Sequence, residues 1–199
     1  KIKKQLIYKH YYKKLFIFNF QLKTMIKIIA EKPKRILLLE KQLESELKVK
    51  ISNKGREFSL DGTPEREYFA EKIILAIDFG FEHSDAMLLN DEDFLFEVLN
   101  IKDYTKKDNL ERIRGRIIGT ERKTLDTLEQ LTDCFFQLRN NQVAIIGPSE
   151  RIKYAQEAII NLVKGTKQAN VYARLEKHRP EPILDLGLKE KFKKANKNF

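Results

Sequence analysis

The residues best suited to chemistry lie in one short segment, GRIIGTERKT at positions 115–124. Gly119 has no side chain, so a ligand can approach its backbone closely. Five cations surround this glycine and create a strong local positive field. They are Arg112, Arg114, Arg116, Arg122 and Lys123. A bare backbone among cations is suited to a negatively charged ligand.

Residue types that carry catalysis or bind metals are scattered by comparison. His10, His83 and His178 fall in three different segments, without a carboxylate or cysteine at ligand spacing. Cys134 is the single cysteine and lies beside Phe135 in an apolar strand candidate, where a thiol commonly acts as a small hydrophobe. No nucleophile, base and orienting group can be assembled. We therefore expect a protein that is not an enzyme and that needs no metal and no cofactor.

An internal repeat indicates which elements position the glycine segment. Residues 59–80 align without a gap on residues 144–165, at a constant offset of 85 positions. The matched positions are Gly62 with Gly147, Glu65 with Glu150, Arg66 with Arg151, Ala70 with Ala155, Ile74 with Ile159 and Gly80 with Gly165. Each copy predicts a strand that ends at a glycine, followed by a helix with apolar residues at helical spacing. We interpret the chain as two diverged copies of one unit.

Further elements are predicted upstream of each repeated segment. In the second copy they are a strand at 95–101, helices on either side of the glycine segment, and strands at 134–138 and 142–146. In the first copy they are a strand at 15–20, a segment between two helices at 28–36, a helix at 37–46 and a strand at 47–51. Each copy thus predicts the order β-α-α-β-β-α. The expected class is α+β, with a three-stranded sheet backed by helices.

The positive charge is concentrated at the two ends of the chain. Residues 1–35 carry a net charge of +10, residues 36–163 carry −6 and residues 164–199 carry +6. Basic ends are attracted to polyanions, which makes nucleic acid the leading class of partner and an anionic membrane surface the second. Tails that only confer solubility are the alternative. The apolar runs are too short for a membrane span, and the single cysteine fits a reducing interior, so we expect a cytoplasmic protein.

The order of motifs resembles a known family over roughly residues 15–180. The segments DYTKKDNLERIRGRIIGTERKTLDTLEQLT, VAIIGPSERIKYAQEAIINLVKG and VYARLEKHR are similar to the second KH domain and closing helix of the archaeal partner-of-Nob-one (Pno/Dim-type) ribosome-assembly proteins. These proteins are relatives of the Krr-type processing factors. The resemblance implies two tandem eukaryotic-type (type I) KH domains, in each of which helices back a three-stranded sheet.

The resemblance also implies a function and a set of partners. Family members bind the 3′ region of small-subunit rRNA during its maturation. They cooperate with a PIN-domain endonuclease, and archaeal members also contact initiation factor two alpha. The expected function is therefore RNA binding in ribosome biogenesis and rRNA processing, with no small-molecule substrate and no membrane partner. A protein-interaction scaffold of the same pathway, with little RNA affinity of its own, is the alternative.

The family pattern places a loop between the first two helices, where the backbone holds the sugar-phosphate chain of about four nucleotides. In the second domain that loop has the pattern Gly-Lys-Gly-Gly-Lys-Thr, whereas this chain has Gly-Thr-Glu-Arg-Lys-Thr at 119–124. Glu121 would repel a phosphate, and Arg122 could offset it by donating to one. We predict RNA contacts at Arg112, Arg114, Arg116, Ile118, Gly119, Thr120, Glu121, Arg122, Lys123 and Thr124. Residues 28–36 contain no glycine, so the first copy is predicted to have lost the clamp.

These patterns divide the chain into four parts. They are a basic arm at 1–14, a first KH domain with a connecting helix at 15–94, a second KH domain at 95–165, and a basic C-terminal helix and tail at 166–199. The short basic helix is expected at 172–179, because Pro180 and Pro182 end it. The lysine-rich residues that follow are expected to order only on RNA.

Overall fold

The computed structural model describes residues 26–178. This part of the chain divides into two compact units between Asn90 and Asp91. Each unit contains a three-stranded antiparallel sheet together with helices, which confirms the predicted α+β class. The expected arm at 1–14, the strand at 15–20 and the tail after 178 lie outside the described residues. Within residues 26–178, no helix is both long and apolar enough to cross a membrane.

The first unit contains three strands and three α-helices within its described residues. They are β1 (Ile26–Ile29), α1 (Pro33–Leu47), β2 (Lys50–Lys54), β3 (Glu57–Asp61), α2 (Pro64–Phe79) and α3 (His83–Met87), followed by a 3-10 turn at Leu88–Asn90. The strand order is β1-β3-β2. Leu60 lies opposite both Ile26 and Ile51. Alternate residues of β3, Phe58 and Leu60, are fully buried, as expected for a sheet with one face on a core.

One prediction for the first unit is wrong. Residues 28–36 were expected to join two helices, but Ile28 belongs to β1, where it pairs with Phe58 and is buried. Only three residues separate β1 from α1, which begins at Pro33. A proline suits the first helical position, because its missing N–H has no partner there in any case. Within the described residues, the first unit therefore has one helix between its first two strands.

The second unit has three strands, four α-helices and two short 3-10 segments within its described residues. They are β4 (Phe94–Asn100), a 3-10 segment at Ile101–Tyr104, α4 (Leu110–Ile118), a 3-10 turn at Thr120–Arg122, α5 (Lys123–Thr132), β5 (Phe135–Arg139), β6 (Gln142–Pro148), α6 (Ile152–Lys164) and α7 (Gln168–Lys177). The strand order is β4-β6-β5. This unit confirms the predicted β-α-α-β-β-α order, and α7 begins four residues before the predicted Tyr172.

The core of the second unit positions the glycine segment. Ile113 and Ile117 of α4 are buried with Leu128 of α5 and with Phe136 and Ile145 of the sheet. Their spacing of four residues places both isoleucines on one face of the helix. The opposite faces of α4 remain available for charged side chains. The two helices that flank the glycine are thus held on the sheet by apolar packing.

The offset of 85 positions holds in detail from the end of α1 to the end of α2. Lys48 and Asp133 both end their helices in the left-handed conformation, with φ of 54° and 52°. The hairpin residues Gly55 and Asn140 also share a positive φ, at 68° and 53°. A residue without a side chain is required at the matched glycines: a Cβ on Gly62 would lie 2.8 Å from a Val49 methyl, and one on Gly147 would lie 2.9 Å from the Cys134 Cβ.

The offset changes upstream of these elements. Ile26 pairs with Leu60, and Glu97 pairs with Ile145. Leu60 and Ile145 are 85 positions apart, whereas Ile26 and Glu97 are 71 apart. The second unit is therefore 14 residues longer between its first strand and the later elements. That interval contains α4 and the glycine turn, for which the described part of the first unit has no counterpart.

Candidate nucleic-acid interface

The turn between α4 and α5 depends on Gly119. Its backbone has φ 75° and ψ 171°, a combination that is essentially restricted to glycine. A Cβ at this position would lie 2.7 Å from the Thr124 backbone nitrogen and would overlap the Thr124 hydroxyl. The Gly119 N–H donates to the Gly115 carbonyl at 2.8 Å and closes α4. Both the backbone conformation and the close packing therefore require glycine here.

The two turn positions where the family pattern has glycine and this chain does not adopt a conformation that favours glycine. Glu121 has φ 52° and ψ 36°, and Arg122 has φ 66° and ψ 2°. A residue with a side chain loses roughly 1–2 kcal/mol in this left-handed region. The backbone at these two positions therefore follows a path that glycine would adopt most easily, although neither residue is a glycine.

The tip of the turn carries charges of both signs. The Lys123 ammonium lies 3.4 Å from the Glu121 carboxylate, and both side chains are about three-quarters exposed. An exposed pair of this kind contributes little to stability, because water screens it. Glu121 therefore partly neutralises the exposed lysine at the tip.

Arg122 is turned away from the tip. Its Nε donates to Asp126 Oδ1 at 3.0 Å, and its Nη2 donates to Glu129 Oε1 at 2.7 Å. The same Nη2 lies 3.4 Å from the Phe136 carbonyl, while Glu129 accepts a hydrogen bond from the Phe136 N–H at 3.2 Å. The two carboxylates neutralise this guanidinium and occupy its Nε and Nη2 donors. The structure therefore does not place Arg122 as a ready phosphate donor beside Glu121.

The remaining arginines of the predicted site separate into two places. The Arg114 guanidinium donates to the Asn140 carbonyl at 3.3 Å, in the hairpin turn between β5 and β6. Arg112 and Arg116 line a cavity of about 240 Å³ on another side of α4. Arg116 also donates to the Thr166 carbonyl. The structure thus brings Arg112 and Arg116 together and separates them from Arg114 and Arg122.

The uncharged residues of the predicted site differ in their exposure. Thr120 is exposed at the tip of the turn, and Ile118 is half-buried against the core. Thr124 is buried, where its hydroxyl accepts a hydrogen bond from Gln168 Nε2 at 2.8 Å. Thr120 is therefore accessible to a ligand, whereas Ile118 and Thr124 support the turn.

Gln168, the first residue of α7, was not predicted to belong to the site. Its Nε2 reaches the Thr124 hydroxyl on one side of the turn and the Arg116 carbonyl, at 3.2 Å, on the other. It is therefore a bridge across the base of the turn. No signal in the sequence identifies it, because a glutamine 44 positions from its partner belongs to no local motif.

The residues considered for catalysis or metal binding have structural partners. Burial raises the pKa of the Cys134 thiol to about 11. His83 lies 2.9 Å from Glu46, and His178 packs against the Tyr154 ring; His10 is outside the described residues. Within residues 26–178, no group of three or more His, Cys, Asp or Glu side chains is placed to hold a metal ion.

Comparison with known proteins identifies the family of domains that the second unit resembles. Residues 95–180 match the second KH domain of PNO1 proteins, described as a eukaryotic-type (type I) KH domain. A KH domain-containing protein of Methanocaldococcus jannaschii is 34% identical over 153 residues, which cover 71% of this chain and 65% of that protein. The second unit matches the Pno-type KH domains, and the chain is similar to Pno/Dim-type KH proteins over most of its length. An RNA-binding protein pno1 of Dictyostelium discoideum is 33% identical over 53% of this chain and 46% of its own length.

A solved structure extends the Pno/Dim-type likeness beyond the matched domain. The chain resembles one in the crystal structure of a complex of initiation factor a/eIF2alpha, aDim2p and rRNA from Pyrococcus horikoshii, with a TM-score of 0.71 and 28% identity. The likeness covers 81% of this chain and 98% of that one. In contrast, this chain spans only about two-thirds of the M. jannaschii relative and less than half of the Dictyostelium relative.

Proposed function

We propose that this chain binds single-stranded RNA through the second unit and acts on small-subunit rRNA during ribosome biogenesis. The observation that carries the proposal is the Gly119 turn, which exposes bare backbone between two helices of a Pno-type KH domain. KH domains clamp about four nucleotides at this position. The proposed contact segment is 118–124, in which Thr120, Glu121, Arg122 and Lys123 are exposed.

The turn combines features that favour a phosphate with one that opposes it. The turn leads directly into α5, so the free amide groups at that helix N-terminus favour an anion. Lys123 adds a positive charge, but Glu121 lies beside it and opposes a phosphate. We therefore propose that Glu121 weakens a clamp whose backbone geometry is retained.

More specific partners rest on the relatives. In the Pyrococcus horikoshii complex, aDim2p is found together with rRNA and initiation factor a/eIF2alpha, which supports rRNA and that factor as partners of this chain. The 3′ region of the small-subunit rRNA and a PIN-domain endonuclease follow from the family resemblance alone. A binding role rather than a catalytic one is part of the same proposal.

We also propose that the first unit is a diverged copy of the KH fold. Its support is the offset of 85 positions, together with the shared left-handed helix ends at Lys48 and Asp133 and the shared close contacts at Gly62 and Gly147. The described part of this unit lacks a helix before α1 and a glycine turn. It is therefore proposed to contact protein rather than to clamp RNA.

The RNA proposal can be tested by reversing the balance of charge at the tip of the turn. Fluorescence anisotropy with an RNA from the 3′ end of small-subunit rRNA measures affinity and its salt dependence. Glu121→Gln removes a repulsive charge and should raise the affinity by up to about fivefold, since an exposed charge pair contributes about 0.2–1 kcal/mol. Lys123→Ala should lower the affinity. It should also reduce the salt slope, which is the slope of log affinity against log salt concentration, by about 0.7.

Two exposed residues at the start of α6 provide matched controls. Glu150→Gln and Lys153→Ala make the same changes of charge away from the turn. Both should leave RNA affinity near that of the parent chain. Equal affinities for all four variants would show that the turn is not the RNA site.

A scaffold function remains the second candidate, because the ion pairs of Arg122 remove one cation from the clamp. Exposed leucines on α1 favour it as well: Leu38 is 86% and Leu37 is 41% exposed. A pull-down with the initiation factor by a chain that has no measurable RNA affinity would support this candidate and oppose the first.

A further inference from the structure

The second unit contains a cationic groove that the glycine turn does not include. Two adjoining cavities, of about 240 and 500 Å³, share Arg112 and Arg116 as lining residues. The first cavity extends to Lys107 and to the end of α6, and the second extends to Lys167 at the start of α7. Together they form one groove between α4, α6 and α7, which we call the α4–α7 groove.

All the charged residues that line the α4–α7 groove, among those the structure describes, are positive. They are Lys107, Arg112, Arg116 and Lys167, and Asn109 and Gln168 are its polar uncharged neighbours. Within residues 26–178, no carboxylate pairs with Lys107, Arg112 or Lys167. Like charges gathered in a concave surface repel one another and attract an anion strongly.

The arginines of α4 and the first turn of α7 make the α4–α7 groove suited to an anionic ligand. Arg112 and Arg116 are four residues apart on α4, so their side chains lie side by side on one face of the helix. The Arg116 guanidinium is held by the Thr166 carbonyl. The first turn of α7 contains no acidic residue, so its amide groups add to the positive field.

We propose that the α4–α7 groove binds phosphates of an RNA strand that continues beyond the nucleotides held at the Gly119 turn. Gln168 connects the two sites, because it lines the groove and also donates to Thr124 beneath the turn. A strand that leaves the turn can therefore enter the groove without crossing a negatively charged residue of its lining. This inference rests on the proposed RNA-binding function and extends the interface to α7.

The first unit supports the assignment by contrast. Its described residues contain no counterpart of α4, so they cannot form an equivalent groove. The 14 additional residues of the second unit thus provide the glycine turn and one wall of the groove together. Both features are expected to serve the same strand of RNA.

The experiment compares two RNA lengths on the full chain. An RNA of about 4 nucleotides occupies only the turn, whereas one of about 10 nucleotides from the same 3′ sequence reaches the groove. The variant Lys107→Ala with Lys167→Ala removes two cations that were not assigned to the turn. Affinity for the longer RNA should fall on the order of tenfold and its salt slope by about 1.4, with no change for the shorter RNA.

The control makes the same change of charge elsewhere in the second unit. Lys102→Ala with Lys153→Ala removes two exposed lysines that line neither cavity. Equal loss of affinity in both double variants would overturn the groove proposal, because it would reflect net charge alone. Parent-like binding of the longer RNA by the groove variant would also overturn it and would indicate an acidic protein segment as the occupant to test.

The two proposals fail in different ways. If Lys107→Ala with Lys167→Ala has no effect while Lys123→Ala weakens both RNAs, the turn binds RNA and the groove does not. If the parent chain binds neither RNA, the proposed function itself is wrong.

Discussion

Three residues of the turn at 119–122 have a positive φ, and only one of them is a glycine. That residue is Gly119, and it is also the position where a side chain would collide with Thr124. At Glu121 and Arg122 a side chain causes only backbone strain. Steric exclusion costs more than left-handed strain, so the three positions tolerate change to different degrees.

Replacement of Gly119 by alanine should destabilise the second unit. The backbone strain costs about 1–3 kcal/mol, and the collision with Thr124 adds to it. Urea denaturation, followed by alkylation of Cys134, measures the free energy of unfolding of this unit. Gly115→Ala is the matched control: a Cβ there meets nothing within 4 Å, so it should raise stability by about 0.5–1 kcal/mol. The reverse order of the two variants would contradict this account.

At the residue scale, part of the candidate site could be predicted from the sequence, and its role in RNA binding stays a prediction. The sequence identified Gly119 and the cations around it, because a glycine among arginines is a local pattern. It did not predict that Arg122 would fold back on Asp126 and Glu129, although a spacing of four residues allows the first of these pairs. It could not predict Gln168 or the α4–α7 groove, since both depend on contacts between residues far apart in the chain.

At the scale of elements, α7 is a support for the turn. Gln168 bonds both sides of the turn, and Val171 and Leu175 are buried in the core of the second unit. The helix is therefore part of the domain rather than a separate appendage. This explains why the family match continues beyond α6 to residue 180.

Gln168→Ala should loosen the turn without changing its charge. Loss of the two hydrogen bonds should cost about 1–2 kcal/mol, and the amides of 119–124 should exchange with solvent faster. RNA affinity should fall while the salt slope stays constant, because no phosphate-binding cation is removed. Asn170→Ala, at an exposed position of the same helix, serves as the control. Unchanged exchange rates at the turn would show that α7 does not support it.

The repeat explains both the success and the failure of the fold prediction. From Lys48 to the end of α2, both units follow the same offset, and the strands of the second unit and both closing helices were predicted correctly. The strand predicted at 47–51 in the first unit was placed three residues too early, since β2 spans Lys50–Lys54. Upstream, residues 28–36 were matched to the glycine segment of the second unit, and this match placed a joint between two helices on β1. A difference of 14 residues in length becomes visible only when strand pairing fixes which residues are equivalent.

At the scale of the whole molecule, the two units share a strand order but differ in the residues at matched positions. The only cysteine of the chain lies in the second unit, beneath Gly147. Val49 occupies the matched place in the first unit, beneath Gly62. The thiol is thus a natural reporter for one unit alone.

The stability of the second unit should decline in alkaline solution because of Cys134. Its pKa is raised from 9.0 to about 11, so the unfolded state loses its proton first as the pH rises. Stability is therefore fully retained below about pH 9 and decreases between about pH 9 and 11. Urea titrations at several pH values, compared with Cys134→Ala, should show this extra decrease in the parent chain. Parallel pH profiles for the two proteins would contradict the assignment.

The side chain of Arg122 has a further consequence for association between molecules. β5 is an edge strand, and exposed edge amides invite strand pairing with another chain and, eventually, aggregation. At Phe136 the N–H is taken by Glu129 and the carbonyl by Arg122. Neither backbone group of Phe136 is therefore free to pair with a strand of a neighbouring chain. Arg122 and Glu129 thus oppose strand pairing between molecules at this point of the edge.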